Sequence, residues 1–378
     1  MKKSCKSGVF SAVILVALAA ARPAEAEVTM NFAGRLQMDL AQSSSDVTEL
    51  GSGTELRRAY AEAAGELNDD WVYKMQFDFA GGKLATRDAY VRHGWLTIGN
   101  YKVPQGLNAM TSDKYHTFMQ FAAMFEALIP GRRMAIGGDF SGDNWTAAVA
   151  VFGQDVDVKT DGKAEGVGAS GRLTYTPWKT DTGVFHLGVW GSWEQPQNTT
   201  DNTVQLRASP EVHVNLVRLI DTGIIGYVDD FTRLGLEGSL GIGSLSIQGE
   251  YMREDLNRSA PDPLTDTPNL SFDGYYIQAS YMTGGNRRAY KGGYYRRTMA
   301  TDAWEFAIRY SNLDLTEQAT VIPGKGGEQN VLTLGVNYYI NPHMRVMADY
   351  SEIQTGGYND DTVDESPSAL QMRFAVDF

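Results

Sequence analysis

Apolar and polar residues alternate with a period of two along much of the chain. Phe32, Gly34, Leu36, Met38 and Leu40 alternate with Asn31, Ala33, Arg35, Gln37 and Asp39. The rhythm returns from Trp71 to Ala80, from Leu245 to Met252, from Trp304 to Ser311, from Val331 to Ile340, from Met344 to Ser351 and from Leu370 to Phe378. Successive side chains of a strand point to opposite faces, so each stretch predicts a strand with one apolar and one mostly polar face. Asn68-Asp69-Asp70 and Asn341-Pro342 join neighbouring strands tightly. Other connections are long and polar: 42–54, 155–165, 254–270, 323–329 and 356–368. Short and long connections roughly alternate, as in a transmembrane barrel with short inner turns and long outer loops.

Aromatic residues sit near the ends of the apolar faces, at Trp71, Phe79, Trp304, Tyr310, Tyr338, Tyr350 and Phe378. In a barrel these positions fall in the two interfacial girdles. A soluble sandwich has no reason to place them there. The pattern therefore predicts an all-β chain: a closed antiparallel transmembrane β-barrel of about sixteen strands of ~10 residues, with no second domain.

The first residues change the picture of where that barrel lives. Lys2, Lys3 and Lys6 precede an apolar run from Val9 to Ala21, and Ala24-Glu25-Ala26 has the small-x-small form of a cleavage site. The run is too short for a spanning helix, which needs roughly 20 residues. Residues 1–26 are expected to be a signal peptide cut after Ala26, leaving 27–378 as one barrel domain in outer-membrane lipid and lipopolysaccharide.

Composition removes several function classes. The net charge of −13 argues against nucleic-acid binding, which needs a basic footprint. The single cysteine, Cys5, lies in the leader, so the remainder can form neither an internal disulfide nor a thiolate metal cluster. The five histidines, His93, His116, His186, His213 and His343, show no ligand spacing. Gly166-Val167-Gly168-Ala169-Ser170-Gly171 matches a dinucleotide fingerprint, but an alternating strand follows it where a helix is required. Asp155, Asp157 and Asp161-Gly162 lack the bidentate Glu of a calcium loop. No cofactor and no enzymatic activity are expected. An outer-membrane hydrolase would need Ser, His and a carboxylate converging on the wall, and His186 and Ser192 merely share parity. A soluble exported binding protein is the third reading.

Several segments taken in order resemble one family. They are Ile98 to Pro104 with Gly106-Leu107, Asp221-Thr222-Gly223, Gly243 to Met252, Gly274 to Arg297, Ala303 to Leu315, Gly326 to Tyr350, and the terminal Phe378. Together they resemble the phosphate-selective porin O and P family of Gram-negative outer membranes. The resemblance implies a sixteen-stranded barrel, a homotrimer, an internal loop narrowing each pore and Phe378 as assembly signal. The family's usual Leu-Thr-Gly-Glu reads Met282-Thr283-Gly284-Gly285 here.

A channel of this kind passes small anions, phosphate or polyphosphate first among them; a non-selective diffusion porin is the alternative. Selection depends on pore width and lumen charge. Strand parity assigns Arg35, Arg58, Arg92, Arg172, Arg309, Arg345 and Arg373 to the lumen, where arginine's planar fork suits phosphate. The competing fate is pairing with lumen acids such as Asp39, Asp78, Glu250, Glu305 and Asp349. Between Pro104 and Arg133 the alternation stops. Phe118, Phe121, Phe125 and Leu128 have helix-like spacing, and the segment is expected to fold into the lumen with this apolar stripe against the wall. Lys102, Lys114, Arg132 and Arg133 are then the basic groups placed to meet an anion, with Arg132 and Arg133 near the narrowest point.

Overall fold

A computed structural model describes residues 28–378 except 46, 69, 158–163, 197–201, 216, 260–267, 318–324 and 357–363. The expected leader, its cut after Ala26, and several outer-loop acids (Asp46, Asp161, Asp262, Asp266, Asp360 and Asp361) lie outside the described residues. In chain order the first strands are β1 (Asn31–Ser44), β2 (Gly53–Asn68), β3 (Trp71–Asp78), β4 (Ala85–His93) and β5 (Leu96–Lys102). Two single helical turns follow, α1 (Leu107–Met110) and α2 (Met124–Ala127). Then come β6 (Arg132–Ser141), β7 (Trp145–Phe152), β8 (Val167–Lys179) and β9 (Gly183–Gln195), and a two-residue pair, β10 (Arg207–Ala208) with β11 (Ile220–Asp221). The wall resumes with β12 (Val228–Ile242), β13 (Leu245–Arg258) and β14 (Leu270–Met282), and breaks for the hairpin β15 (Ala289–Lys291) and β16 (Tyr294–Arg296). It finishes with β17 (Ala303–Asp314), β18 (Glu328–Asn341), β19 (Met344–Gly356) and β20 (Ser368–Asp377).

Sixteen of these strands form one closed antiparallel barrel, and the two hairpins β10–β11 and β15–β16 stand apart from it. Closure is made by β1 with β20, from Arg35 opposite Asp377 to Ser44 opposite Ser368. Gly34 N donates to Phe378 O at 2.8 Å and Phe378 N returns the bond at 3.1 Å. A closed wall leaves no unpaired edge in lipid.

The period of two sorts the wall into two solvents. Leu36, Met38 and Leu40 of β1 and Leu234 and Leu236 of β12 point outward, as do Trp304, Phe306, Ile308 and Tyr310 of β17. Their lumenal neighbours Arg35, Gln37, Asp39, Arg233, Glu237, Glu305 and Arg309 are buried inside the barrel. Turns at one end are short: Gly94-Trp95, Gly243-Ser244 and Pro342-His343 each join two strands. Gly94 and Gly243 both sit at φ +55, the left-handed geometry that a two-residue turn demands and glycine adopts without strain. One connection at that end departs from the rule. Residues 283–302 are long, and the β15–β16 hairpin turns back into the barrel.

Three connections thus fill the lumen. The β5–β6 loop enters from the outer end, and the β9–β12 loop packs on it. Met124, Phe125 and Leu128 from the first join Leu206, Ile220 and Ile225 from the second, against wall residues Met252, Leu256, Phe272 and Leu313. This apolar plug occupies the β12–β17 side and leaves the space along β1–β8. The Phe118–Leu128 stripe is buried as its pattern required, but it is not one helix: only Met124–Ala127 makes a turn. Ahead of that turn, Met119 and Gln120 use backbone polar groups to bond wall side chains: Met119 N with Asp349, and the carbonyls of Met119 and Gln120 with Arg373 and Arg309.

Candidate functional site

The wall holds the β5–β6 loop with both signs of charge. Arg309, Arg345 and Arg373 donate to the carbonyls of Gln120, His116 and Met119 at 2.8, 2.7 and 2.8 Å. Asp349 accepts from Met119 N at 2.7 Å, Glu250 from Asn108 N at 2.7 Å, and Glu305 from the Thr117 hydroxyl at 3.1 Å. Such pairing is what lets an irregular segment lie inside a barrel, because buried backbone groups need partners.

Most of the expected lumen arginines also meet a carboxylate. Arg35 and Arg58 both pair with Asp113 of the loop. Burial opposes the charge on Asp113, but Arg35 and then Arg58 overcome this and hold its carboxyl well below the ordinary range. Arg172 grips Glu237 and donates to Gly293 O of the hairpin at 2.7 Å. Arg309 pairs with Glu211, Arg373 with Asp39, and Arg92 with Asp139. Of the expected loop cations, Lys114 lies 3.7 Å from Asp377, and Arg132 donates to Asp88 at 2.8 Å. Lys102 is different: among the described residues its ammonium bonds only to the carbonyls of Ala109 (2.6 Å) and Thr111 (3.4 Å). Arg133 turns away from its neighbour, to Glu194 at 3.2 Å and over the Phe152 ring.

The open space lies where the plug is absent. A cavity of about 1100 Å³ runs along β1–β6, and a second of about 1090 Å³ along β4–β8. Arg92, Tyr101, Lys102, Met110, Tyr294 and Arg296 line both, so the passage narrows between them. Seven cationic side chains line the first cavity against the two carboxylates Glu62 and Asp88. The local balance is thus opposite to that of the chain. Arg132 reaches this wall and Arg133 does not, which corrects the expectation that the two act together at the narrowest point.

Several lumen groups escaped the sequence pattern. A bulge in β2, where Gln37 faces Arg58 but Met38 faces Leu56, inserts Arg57 beside Arg58; Arg57 reaches Gln120 at 3.4 Å. Glu211 of the β9–β12 loop accepts from Arg309, Ser311 and Ala123 N. The hairpin brings Tyr290 to His186 at 2.6 Å. His186 also contacts Glu237 at 3.1 Å, so it is engaged with these groups and not with Ser192.

A closed barrel with a charged, loop-narrowed lumen and an apolar belt defines an outer-membrane channel of the porin class. The family model described as phosphate-selective porin O and P matches residues 30–378, and the chain belongs to that family. A Caulobacter vibrioides protein is 26% identical over 86% of this chain and 68% of its own length. Porin O of Pseudomonas aeruginosa is 23% identical, covering 93% of this chain and 89% of its own. The anion-selective porin from Comamonas acidovorans shares the fold at a TM-score of 0.60 and 12% identity, over 93% of this chain and all of that one. The chain is a porin of the Gram-negative outer membrane.

Proposed function

We propose that this porin passes small anions in preference to cations and binds phosphate in its lumen. The observation that carries the reading is the seven-to-two excess of cations over carboxylates along the first cavity, with Lys102 and Arg132 on its wall. A narrow lumen with low-dielectric walls focuses that field, whereas acids on outer loops act only over about a Debye length, ~8 Å at physiological salt. Porin O is named within a phosphate-selective family, and the Comamonas structure is called anion-selective; both support the same direction. The paired state of Arg35, Arg58, Arg172, Arg309 and Arg373 favours a second reading, a weakly selective diffusion channel. Reversal potential in a salt gradient across a planar bilayer, repeated with phosphate, separates the two. Anion preference with phosphate block supports the first; cation preference without block overturns it.

The proposal includes processing and assembly. Residues 1–26 direct export and are removed after Ala26, the rest folds as one barrel domain, and three copies assemble in lipid and lipopolysaccharide. The basic start and apolar run support the export step. Phe378, 72% exposed beside the closing strands, suits an assembly signal.

A further inference from the structure

We propose that the narrow zone between the two large cavities favours a planar aromatic anion, an aryl phosphate or an aromatic carboxylate, over an anion of equal charge without a ring. The inference rests on the anion preference proposed above and names a substrate class for the same passage. The six residues that line both cavities fall into two chemical sets. Arg92, Lys102 and Arg296 carry charge, and Tyr101, Met110 and Tyr294 offer apolar surface; none of the six is an acid. Tyr90, Tyr115 and Tyr295 add further rings along the first cavity.

The apolar set is turned toward the passage by the packing behind it. The Tyr101 hydroxyl points into the wall: it is buried without a hydrogen-bond partner among the described residues, and a Cβ on Gly137 would lie 2.4 Å from it. What Tyr101 offers a solute is therefore its ring. Tyr90 stands edge-on to that ring, with centroids 6.1 Å apart at 74°. In α1, Leu107, Asn108 and Ala109 are buried, and Met110 is the residue of that turn left facing the passage. On the hairpin side the Arg296 guanidinium lies 4.0 Å over the Tyr294 ring. Among the described residues Lys102 and Arg296 bond only to backbone carbonyls, so no bonded carboxylate cancels their charge. Rings pair with rings, guanidinium groups stack on them, and a thioether packs at their edges. A bare phosphate uses the cations alone and gains nothing from the tyrosines and the methionine. A planar aromatic anion meets both sets in one pose. Apolar walls with a few placed polar groups are the usual lining of sites for small organic molecules.

The test is block of chloride current across a planar bilayer by phenyl phosphate and by methyl phosphate, with inorganic phosphate alongside, at about pH 8.5, where all three carry two charges. For wild type, phenyl phosphate should block at about one-tenth the concentration that methyl phosphate needs, the worth of one well-placed ring contact. Y294F keeps the ring and should keep that ratio. Y294S, and M110Q as a second variant, should bring it down to about threefold or less. The ratio is taken within each channel, so a change in overall anion affinity cancels. Folding of each variant is checked by heat-modifiable migration. A ratio near one in wild type, or a tenfold ratio that survives in both folded variants Y294S and M110Q, overturns the aromatic class assigned to this zone and leaves the anion channel standing. A wild-type channel blocked by none of the three anions overturns the anion reading itself.

Discussion

Arg373 and Asp39 face each other across the strands that close the barrel, with two hydrogen bonds of 2.7 and 2.6 Å between guanidinium and carboxylate. The third Arg373 nitrogen, Nη1, donates to Met119 O, so one side chain ties the seam to the loop that fills the pore. Both residues are almost fully buried. Removing one partner of such a pair costs about 3–5 kcal/mol, because the other charge stays buried and unpaired. Asp39→Asn should therefore lower the temperature of heat modification on gels. It should also raise channel noise, as the loop loses a fixed anchor.

Asp113 neutralises two guanidinium groups at once. Asp113→Asn should release Arg35 and Arg58 as lumen charges. One added charge acting over ~15 Å at an effective dielectric of ~20 is worth about 1 kcal/mol. That energy favours the anion and disfavours the cation alike, so the anion-to-cation permeability ratio should rise roughly thirtyfold, read from reversal potentials.

The pore loop should loosen in acid. Burial pushes the His116 imidazole down to about 3 from its ordinary 6.5, and its Nε2 lies 3.0 Å from Asn108 O. A base with a lowered pKa stabilises the docked loop fully above pH 6.5. That contribution is lost progressively as pH falls toward 3, at about 1.4 kcal/mol per unit. Asp113, whose pKa is also depressed, loses its contribution in the same direction once pH falls below its ordinary carboxylate value. Channel closures and noise should be steady from pH 8 to 6.5 and grow below pH 5. A profile flat down to pH 3 would show that docking does not depend on these groups.

The strands were legible in the sequence because each wall residue faces one of two different solvents. Leu36 meets lipid and Arg35 meets the lumen, so the period of two survives nearly everywhere. The lumenal face of Arg35, Arg172, Arg309, Arg345 and Arg373 followed from parity alone. What those arginines touch followed only in part: Arg373 meets the wall acid Asp39 and Arg172 the wall acid Glu237, whereas Arg35 and Arg309 meet Asp113 and Glu211 on loops far away in sequence. Arg57 was hidden by a bulge, which breaks parity without a residue-type signal. The β15–β16 hairpin was hidden by its length: strands of three residues carry no readable period. The spacing of Phe118, Phe121 and Phe125 was helical by coincidence, since the loop's shape is set by bonds to the wall.

Gly34 carries a steric requirement at the seam. A Cβ there would run into the Phe378 ring, and Gly34 and Phe378 exchange backbone bonds at the closing edge. Gly34→Val should displace the ring and weaken closure, giving less folded barrel in the outer membrane. Phe378→Ala in the Gly34→Val background should recover part of the loss if the clash is the cause. Recovery is read as the fraction that migrates as folded protein before heating.

Arg132 and Arg133 are adjacent in sequence and separate in function under the proposed reading. Arg132 lies on the cavity wall beside Lys102, bonded to Asp88. Arg133 is drawn to Glu194, which Arg233 also holds at 2.9 Å, away from both large cavities. Arg132→Gln should remove a charge from the passage and cut anion preference roughly thirtyfold, by the same Coulomb estimate as for Asp113. Arg133→Gln should leave selectivity within about twofold, since only a charge with an open path to the permeating ion contributes strongly. Its cost should appear in stability instead, because Glu194 keeps one partner of two. The two single variants, compared by reversal potential and by phosphate block, decide whether the passage runs along β4–β6. Equal effects from both would place the path between them and contradict the cavity geometry.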